Sequence, residues 1–277
     1  RRYRLDEYGL DNTMSKFIAA MDHSGGSTGG VLERYGQEYT EADKMDKVHA
    51  MRLRMINSPD FNDENIWGAI LYKDTVDRGI VSILKAKGIE AILKVDSGCR
   101  PDGTLNEFDL APMIAYALEH GCYGTKMRSI VRSSDMVKVI VNQQLTKAKR
   151  IFDAGLMPIV EPEVSISCAK KVVVERHLVS YLKTALQDFE GKCILKLTPP
   201  DENNLYYELT NHPKVEKVVA LSGGYSTNEA CNRLGLQDNM TASFSRGLSE
   251  GLTYSQTMFE FNAKISSNIK MIFNAGS

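Results

Sequence analysis

"MPIVEPEV", residues 157–164, reads as a buried strand apart from two carboxylates, Glu161 and Glu163, placed one residue apart. A half-buried strand alternates apolar with polar residues, and a doubly buried one is apolar throughout. Two glutamates on the same face therefore need either a polar interior or cationic partners. The rest of the chain supplies both.

Working outward, short apolar runs of the same kind recur at 16–22, 67–73, 91–96, 124–129, 193–198, 217–224 and 241–246, which makes eight candidate strands. Amphipathic stretches separate them: Met45, Val48, Met51 and Met55, or Phe261, Ile265, Ile269 and Ile272, fall at helical spacing. Gly88, Gly121 and Gly155 each stand between a helical pattern and a strand, where a helix-terminating glycine belongs. Eight strand–helix units in 277 residues, close to the usual length of about 250, predict a single-domain α/β fold, a (β/α)8 TIM barrel, with residues 1–14 as an N-terminal extension. A doubly wound sheet is the competing architecture, but it calls for a GxGxxG turn that "DHSGGSTGG" does not match.

The composition fits a globular domain: 43% of residues are hydrophobic, and 34 Lys and Arg against 35 Asp and Glu leave a net charge of −1. Such a balance gives no nucleic-acid footprint and no membrane-binding surface. No apolar run approaches the roughly 20 residues of a membrane helix, and none follows the basic start, so the expectation is a soluble cytoplasmic protein. Cys99, Cys122, Cys168, Cys193 and Cys231 are odd in number and form no CxxC pair, so they read as reduced thiols.

Polar residues out of place in a buried strand gather at the C-terminal ends of these runs: Asp22, Lys94 and Asp96, Lys126 and Arg128, Glu161 and Glu163, Lys196 and Thr198, Ser222, Arg246. Several are i, i+2 pairs, and that spacing sends both members to the same side, the lumen of a barrel. Seven of the eight strands share the pattern, which scattered surface charge has no reason to do. Lysines crowded in such a lumen repel, and burial also disfavours their charge, so at least one ammonium pKa should fall. A neutral lysine attacks a carbonyl to form a Schiff base, and a glutamate beside it can move the protons. The pattern alone leaves Lys94, Lys126 and Lys196 equal as nucleophile. "LSGGYS" (221–226) and "SFSRG" (243–247) place glycines, serines and Arg246 where barrels commonly bind phosphate.

The ordered set "MDHSGGS", "ILKVDSG", "GTKMRS", "PIVEPEV", "LKLT", "LSGGYS" and "SFSRGL", spanning about residues 16–250, resembles the class I, Schiff-base forming fructose-bisphosphate aldolases, in particular their shorter bacterial-type branch. The resemblance implies reversible cleavage of fructose 1,6-bisphosphate to dihydroxyacetone phosphate and glyceraldehyde 3-phosphate, in glycolysis or gluconeogenesis, without metal or other cofactor. By the same resemblance Lys196 forms the iminium with the ketose C2 carbonyl, and Glu161 shuttles protons during Schiff-base formation and serves the C4 hydroxyl. Glu163 holds the lysine pair electrostatically, Lys126 positions substrate and lowers the pKa of Lys196, and Asp22 engages the C4 hydroxyl. Ser222, Gly223, Gly224, Ser245 and Arg246 become candidates for the C1 phosphate, and Ser24, Ser27, Lys94 and Arg128 for the other end of the sugar. The implied partner is a small sugar phosphate, not nucleic acid or membrane, and a homo-oligomer is compatible with it.

Two departures stand out. Animal-type members carry a glutamate after the first aspartate and a C-terminal tail ending in tyrosine; here the position is His23 and the sequence ends in "NAGS", which passes protonation of the enamine to Glu161 or a bound water. The glycine usual before the arginine of the last motif is Ser245. His23, His49, His120, His177 and His212 are scattered and read as surface or packing residues rather than metal ligands. The competing functions are another Schiff-base sugar-phosphate aldolase or transaldolase, and an aldolase-like scaffold that binds a partner.

Overall fold

The computed structural model describes residues 16–24 and 27–276; the expected extension at 1–14 lies outside them. Eight strands, β1 (Phe17–Met21), β2 (Ile66–Leu71), β3 (Glu90–Lys94), β4 (Gly124–Val131), β5 (Met157–Val164), β6 (Cys193–Leu197), β7 (Val215–Ala220) and β8 (Met240–Ala242), form one parallel sheet in sequential order. Helices lie between successive strands and after the last: α1 (Ser27–Tyr35), α2 (Lys44–Ile56), α3 (Lys73–Asp77), α4 (Ile80–Ala86), α5 (Leu110–Glu119), α6 (Ser134–Asp153), α7 (Lys171–Gln187), α8 (Tyr207–Thr210), α9 (Thr227–Leu234), α10 (Arg246–Ser249) and α11 (Met258–Ala275). The seam between β8 and β1 is drawn together by Ala20 N–H donating to Phe244 O at 3.3 Å and by Thr241 Oγ1 donating to Lys16 O at 3.1 Å. This is the expected barrel.

Strand alternation sorts the apolar residues into two cores. Outward-facing side chains such as Ala19, Leu71, Leu93, Val160, Leu195 and Ala220 pack under the helices. Inward-facing Ile18, Ala20, Ile70, Ile92, Met157, Ile159, Ile194 and Val219 fill the lower lumen, with Trp67 and Tyr123 packed edge to face at 5.1 Å. Continuing the inward register upward by two residues gives Asp22 after Ala20, Lys94 after Ile92, Glu161 after Ile159 and Lys196 after Ile194. The barrel is thus plugged with hydrocarbon at one end and lined with charge at the other, which is why each of these strands looks apolar until its last residues.

Helix ends fix how the next strand enters. After α6, Gly155 sits at φ +86, with its N–H donating to Phe152 O and Leu156 N–H to Ile151 O, a Schellman closure that needs a residue free of Cβ strain. Gly88 and Gly121 close α4 and α5 in the same way. The long terminal helix α11 begins in a reciprocal capping box between Thr257 and Glu260 and buries Phe261, Ile265, Ile269 and Ile272, the four positions whose spacing marks it in the sequence.

Candidate active site

The C-terminal ends of the strands open into a cavity of about 910 Å³. Asp22, Ser24, Lys94, Lys126, Arg128, Glu161, Glu163, Lys196, Ser222, Gly223, Gly224, Ser245 and Arg246 all line it. The remaining expected site residue, Ser27, starts α1, and its side chain lies outside the described atoms.

The centre is dry. Lys126, Glu161 and Lys196 are 3%, 3% and 4% exposed. Lys126 Nζ donates to Asp22 Oδ2 at 2.9 Å and lies 2.8 Å from Glu161 Oε2, while Lys196 Nζ lies 3.5 Å from Glu161 Oε1. Glu161 thus lies between the two lysines, with Oε2 turned to Lys126 and Oε1 to Lys196.

These contacts separate the two lysines. Burial alone would lower the pKa of Lys126, but Asp22 and Glu161 outweigh it and hold that ammonium well above its ordinary range. For Lys196 burial wins, with the Lys126 charge acting in the same direction against the pull of Glu161, and its pKa is lowered. Asp22 is held well below the usual carboxylate range, because Lys126 and Lys196 overcome the opposing effect of burial. Lys196 is therefore the member of this pair poised to be neutral, a distinction the spacing of the lysines could not make.

The main chain behind this cluster is fixed by side chains from other elements. Gln144 of α6, fully buried, accepts from Glu161 N–H at 3.0 Å and donates to Glu161 O at 3.1 Å. Pairing of β5 with β6 ends at Val160, and Pro162 has no N–H, so this amide replaces the missing strand partner. Thr198 Oγ1 donates to Val164 O at 2.7 Å, tying the end of β6 to β5, and does not line the cavity.

Around the centre the arrangement differs in part from the expectation. Glu163, expected to hold the lysine pair, accepts from Arg128 Nε at 2.6 Å and reaches Lys196 only as a more distant charge. The register explains it: Arg128 is opposite Glu161 on the neighbouring strand, so the side chain one pleat higher on β5 is the one the long guanidinium meets. Although burial opposes its charge, Glu163 holds the Arg128 pKa above its ordinary value. Lys94 Nζ donates to Ser24 Oγ at 2.9 Å and lies 3.6 Å from Asp96, whose other bonds, from Gly98 N–H and Arg128 N–H, anchor the loop after β3. On the opposite wall Gly223 and Gly224, at φ +57 and +103, turn the chain sharply out of β7 and expose its backbone to the cavity; exposed Arg246 stands beside them.

Three arginines and a histidine of the cavity wall escaped the sequence reading. Arg34, Arg100 and Arg132 come from α1 and from loops after β3 and β4, where no strand periodicity singles out a residue. His23, taken as a surface or packing residue, lines the cavity, and its Nε2 is 2.9 Å from Ser245 Oγ. Among the described residues no group of three His, Cys, Asp or Glu side chains is placed to hold a metal ion, and no helix is long and apolar enough to cross a membrane.

No protein-family model matches the chain. The fructose-bisphosphate aldolase class 1 of Synechocystis sp. is 41% identical over 278 residues, which cover 94% of this chain and 93% of that protein. Among solved structures, a fructose-bisphosphate aldolase from Plasmodium falciparum superposes with a TM-score of 0.79 at 19% identity, covering 94% of this chain and 90% of its own. An archaeal fructose 1,6-bisphosphate aldolase gives a TM-score of 0.58 at 12% identity, covering 94% of both chains. These two neighbours carry the barrel fold, and the Synechocystis relative carries the family: this chain belongs to the class I fructose-bisphosphate aldolases.

Proposed function

We propose that the chain is a metal-independent lyase that cleaves fructose 1,6-bisphosphate reversibly to dihydroxyacetone phosphate and glyceraldehyde 3-phosphate, with Lys196 as the Schiff-base nucleophile. The observation that carries this reading is the buried triad in which Glu161 lies between Lys126, held charged, and Lys196, whose pKa is lowered. The name of the Synechocystis relative supports the substrate. A cytoplasmic location, a single catalytic domain spanning 1–277 and assembly into a homo-oligomer belong to the same reading.

Neutral Lys196 attacks the C2 carbonyl, and Glu161 moves protons so that the carbinolamine loses water to give the iminium. Glu161 takes the C4 hydroxyl proton while Asp22 engages that hydroxyl; the C3–C4 bond breaks, its electron pair passes into the iminium as an enamine, and the aldehyde departs. Protonation of the enamine at C3 and hydrolysis release dihydroxyacetone phosphate and restore Lys196. The iminium acts as the electron sink, so no metal is called on. Ser222, Gly223, Gly224, Ser245 and Arg246 hold the C1 phosphate, with Ser24, Ser27, Lys94 and Arg128 toward the other end. Glu163 orients Arg128, a role consistent with their contact.

The test is borohydride reduction in the presence of dihydroxyacetone phosphate, followed by peptide mass mapping, with a chelator-treated sample alongside. A stable adduct on Lys196 in both samples is expected. An adduct on Lys94 or Lys126, or none, overturns the assignment.

A further inference from the structure

At the top of the barrel seam, just above the bond from Ala20 N–H to Phe244 O, His23 Nε2 approaches Ser245 Oγ at 2.9 Å. Both side chains line the cavity that holds Lys196 and Arg246. His23 and Ser245, 222 residues apart in the chain, are thus partners in space. The catalytic cycle has no use for His23, and the fold does not require a hydroxyl at 245.

We propose that His23 and Ser245 act as one phosphate-binding unit, in which the imidazole Nε2–H donates to Ser245 Oγ and so turns the serine hydroxyl proton toward a phosphate oxygen of the substrate. His23 is then a positioning residue that acts through Ser245. The proposal rests on the aldolase reading for the identity of the phosphate ester.

Two observations, together with the needs of an anion, support this arrangement. The His23 backbone is held independently of the pair: its carbonyl accepts from Arg52 Nη2 at 2.6 Å, and the same buried guanidinium donates to Thr75 Oγ1 at 2.7 Å, so α2 sets where the ring stands. The ring is kept neutral: burial, with the Arg52, Arg34 and Lys126 cations around it, outweighs the attraction of Asp22 and lowers its pKa to about 4. A neutral imidazole carries one N–H and one acceptor nitrogen. If Ser245 donated to the ring, its oxygen would turn lone pairs toward the phosphate oxygens; in the opposite arrangement it presents a proton beside Arg246. Only the second arrangement complements an anion, and it supplies a directed neutral donor next to a flexible charged one.

The test compares wild type with His23→Ala, His23→Gln, Ser245→Ala, Ser245→Gly and the double alanine variant, by steady-state cleavage of fructose 1,6-bisphosphate and by calorimetric titration with inorganic phosphate. Each alanine variant is expected to raise KM and the phosphate Kd about fivefold to tenfold, the scale of one lost neutral hydrogen bond, while kcat changes less than KM. The double variant is expected to be no worse than the weaker single, because the two side chains act as a unit. His23→Gln keeps an N–H donor and is expected to restore both constants to within about twofold of wild type. The proposal is overturned by an unchanged phosphate Kd in His23→Ala, by multiplicative losses in the double variant, or by wild-type affinity in Ser245→Gly. If His23→Ala melts well below wild type, Ser245→Ala, which removes a single oxygen, decides the question. A wild type that does not cleave fructose 1,6-bisphosphate refutes the aldolase reading, and the phosphate titrations still judge the pair.

Discussion

Lys196 Nζ lies 3.5 Å from Glu161 Oε1 in the buried centre of the cavity, and that carboxylate is the strongest attraction opposing the lowered pKa of the lysine. Replacing Glu161 by Gln therefore has two opposite effects. Proton shuttling is lost, so kcat is expected to fall on the order of 10²–10⁴. With the carboxylate charge gone, the Lys196 pKa drops further, and the pH midpoint for borohydride trapping moves down. A midpoint that moved up would show that Glu161 is not the partner of Lys196.

Lys126 acts in the other sense. Its charge helps to lower the Lys196 pKa, so Lys126→Met should move the trapping midpoint to higher pH and slow trapping at pH 7. The same change leaves Asp22 and Glu161 buried without their nearest cation, a loss expected to cost about 3–5 kcal/mol of stability, read by urea denaturation. Together the two variants test the triad by the sign of a shift as well as by loss of activity.

The barrel and its charged mouth were legible in the sequence because both depend on strand periodicity. "MPIVEPEV" coincides with β5 from end to end, and the i, i+2 pairs at the ends of β3, β4 and β5 do face the lumen, whereas on β6 only Lys196 does and Thr198 turns to the Val164 carbonyl. β7 and β8 end earlier than their apolar runs suggest: Gly223 and Gly224 take left-handed backbone angles that no strand continues through, and the chain leaves β8 after Ala242 to enter α10. Pairing within the mouth was not legible. Periodicity says which residues share a face but not their relative height around a tilted barrel, and height is what gives Glu163 to Arg128. Arg34, Arg100 and Arg132 lack any periodic signal, and His23 could be recognised only once β1 and β8 were brought together.

His23 also gives the fold a pH dependence. Its folded pKa of about 4 lies below the ordinary 6.5, so between these values the unfolded chain binds more protons than the folded one. The contribution is fully present above pH 6.5 and is lost as pH falls through 4. Urea-denaturation stability of the wild type should decline across this window, and His23→Gln should flatten the decline. His49 and His212, whose pKa values are also lowered by burial, and carboxylates with lowered pKa values such as Asp22, Asp201 and Glu202 contribute to the slope that remains. An identical slope in wild type and His23→Gln would mean that the ring titrates normally in the folded protein.

Gln144 lies outside the cavity, yet it sets the position of Glu161. Its side-chain amide satisfies both the N–H and the C=O of that residue where the pairing of β5 with β6 has ended. Gln144→Leu has nearly the same shape but can neither accept nor donate, so two backbone groups become buried and unpaired, at about 1–3 kcal/mol each. Gln144→Glu keeps an acceptor for the N–H and loses the donor to the carbonyl, so its stability should fall between wild type and Gln144→Leu. Because Glu161 is the group between the two lysines, strand movement at this point should lower kcat far more than it raises KM, since the phosphate-binding residues sit on other elements. Urea denaturation and steady-state kinetics on the two variants separate these effects. Lost stability with an unchanged kcat would mean that the amide supports the strand without positioning the carboxylate.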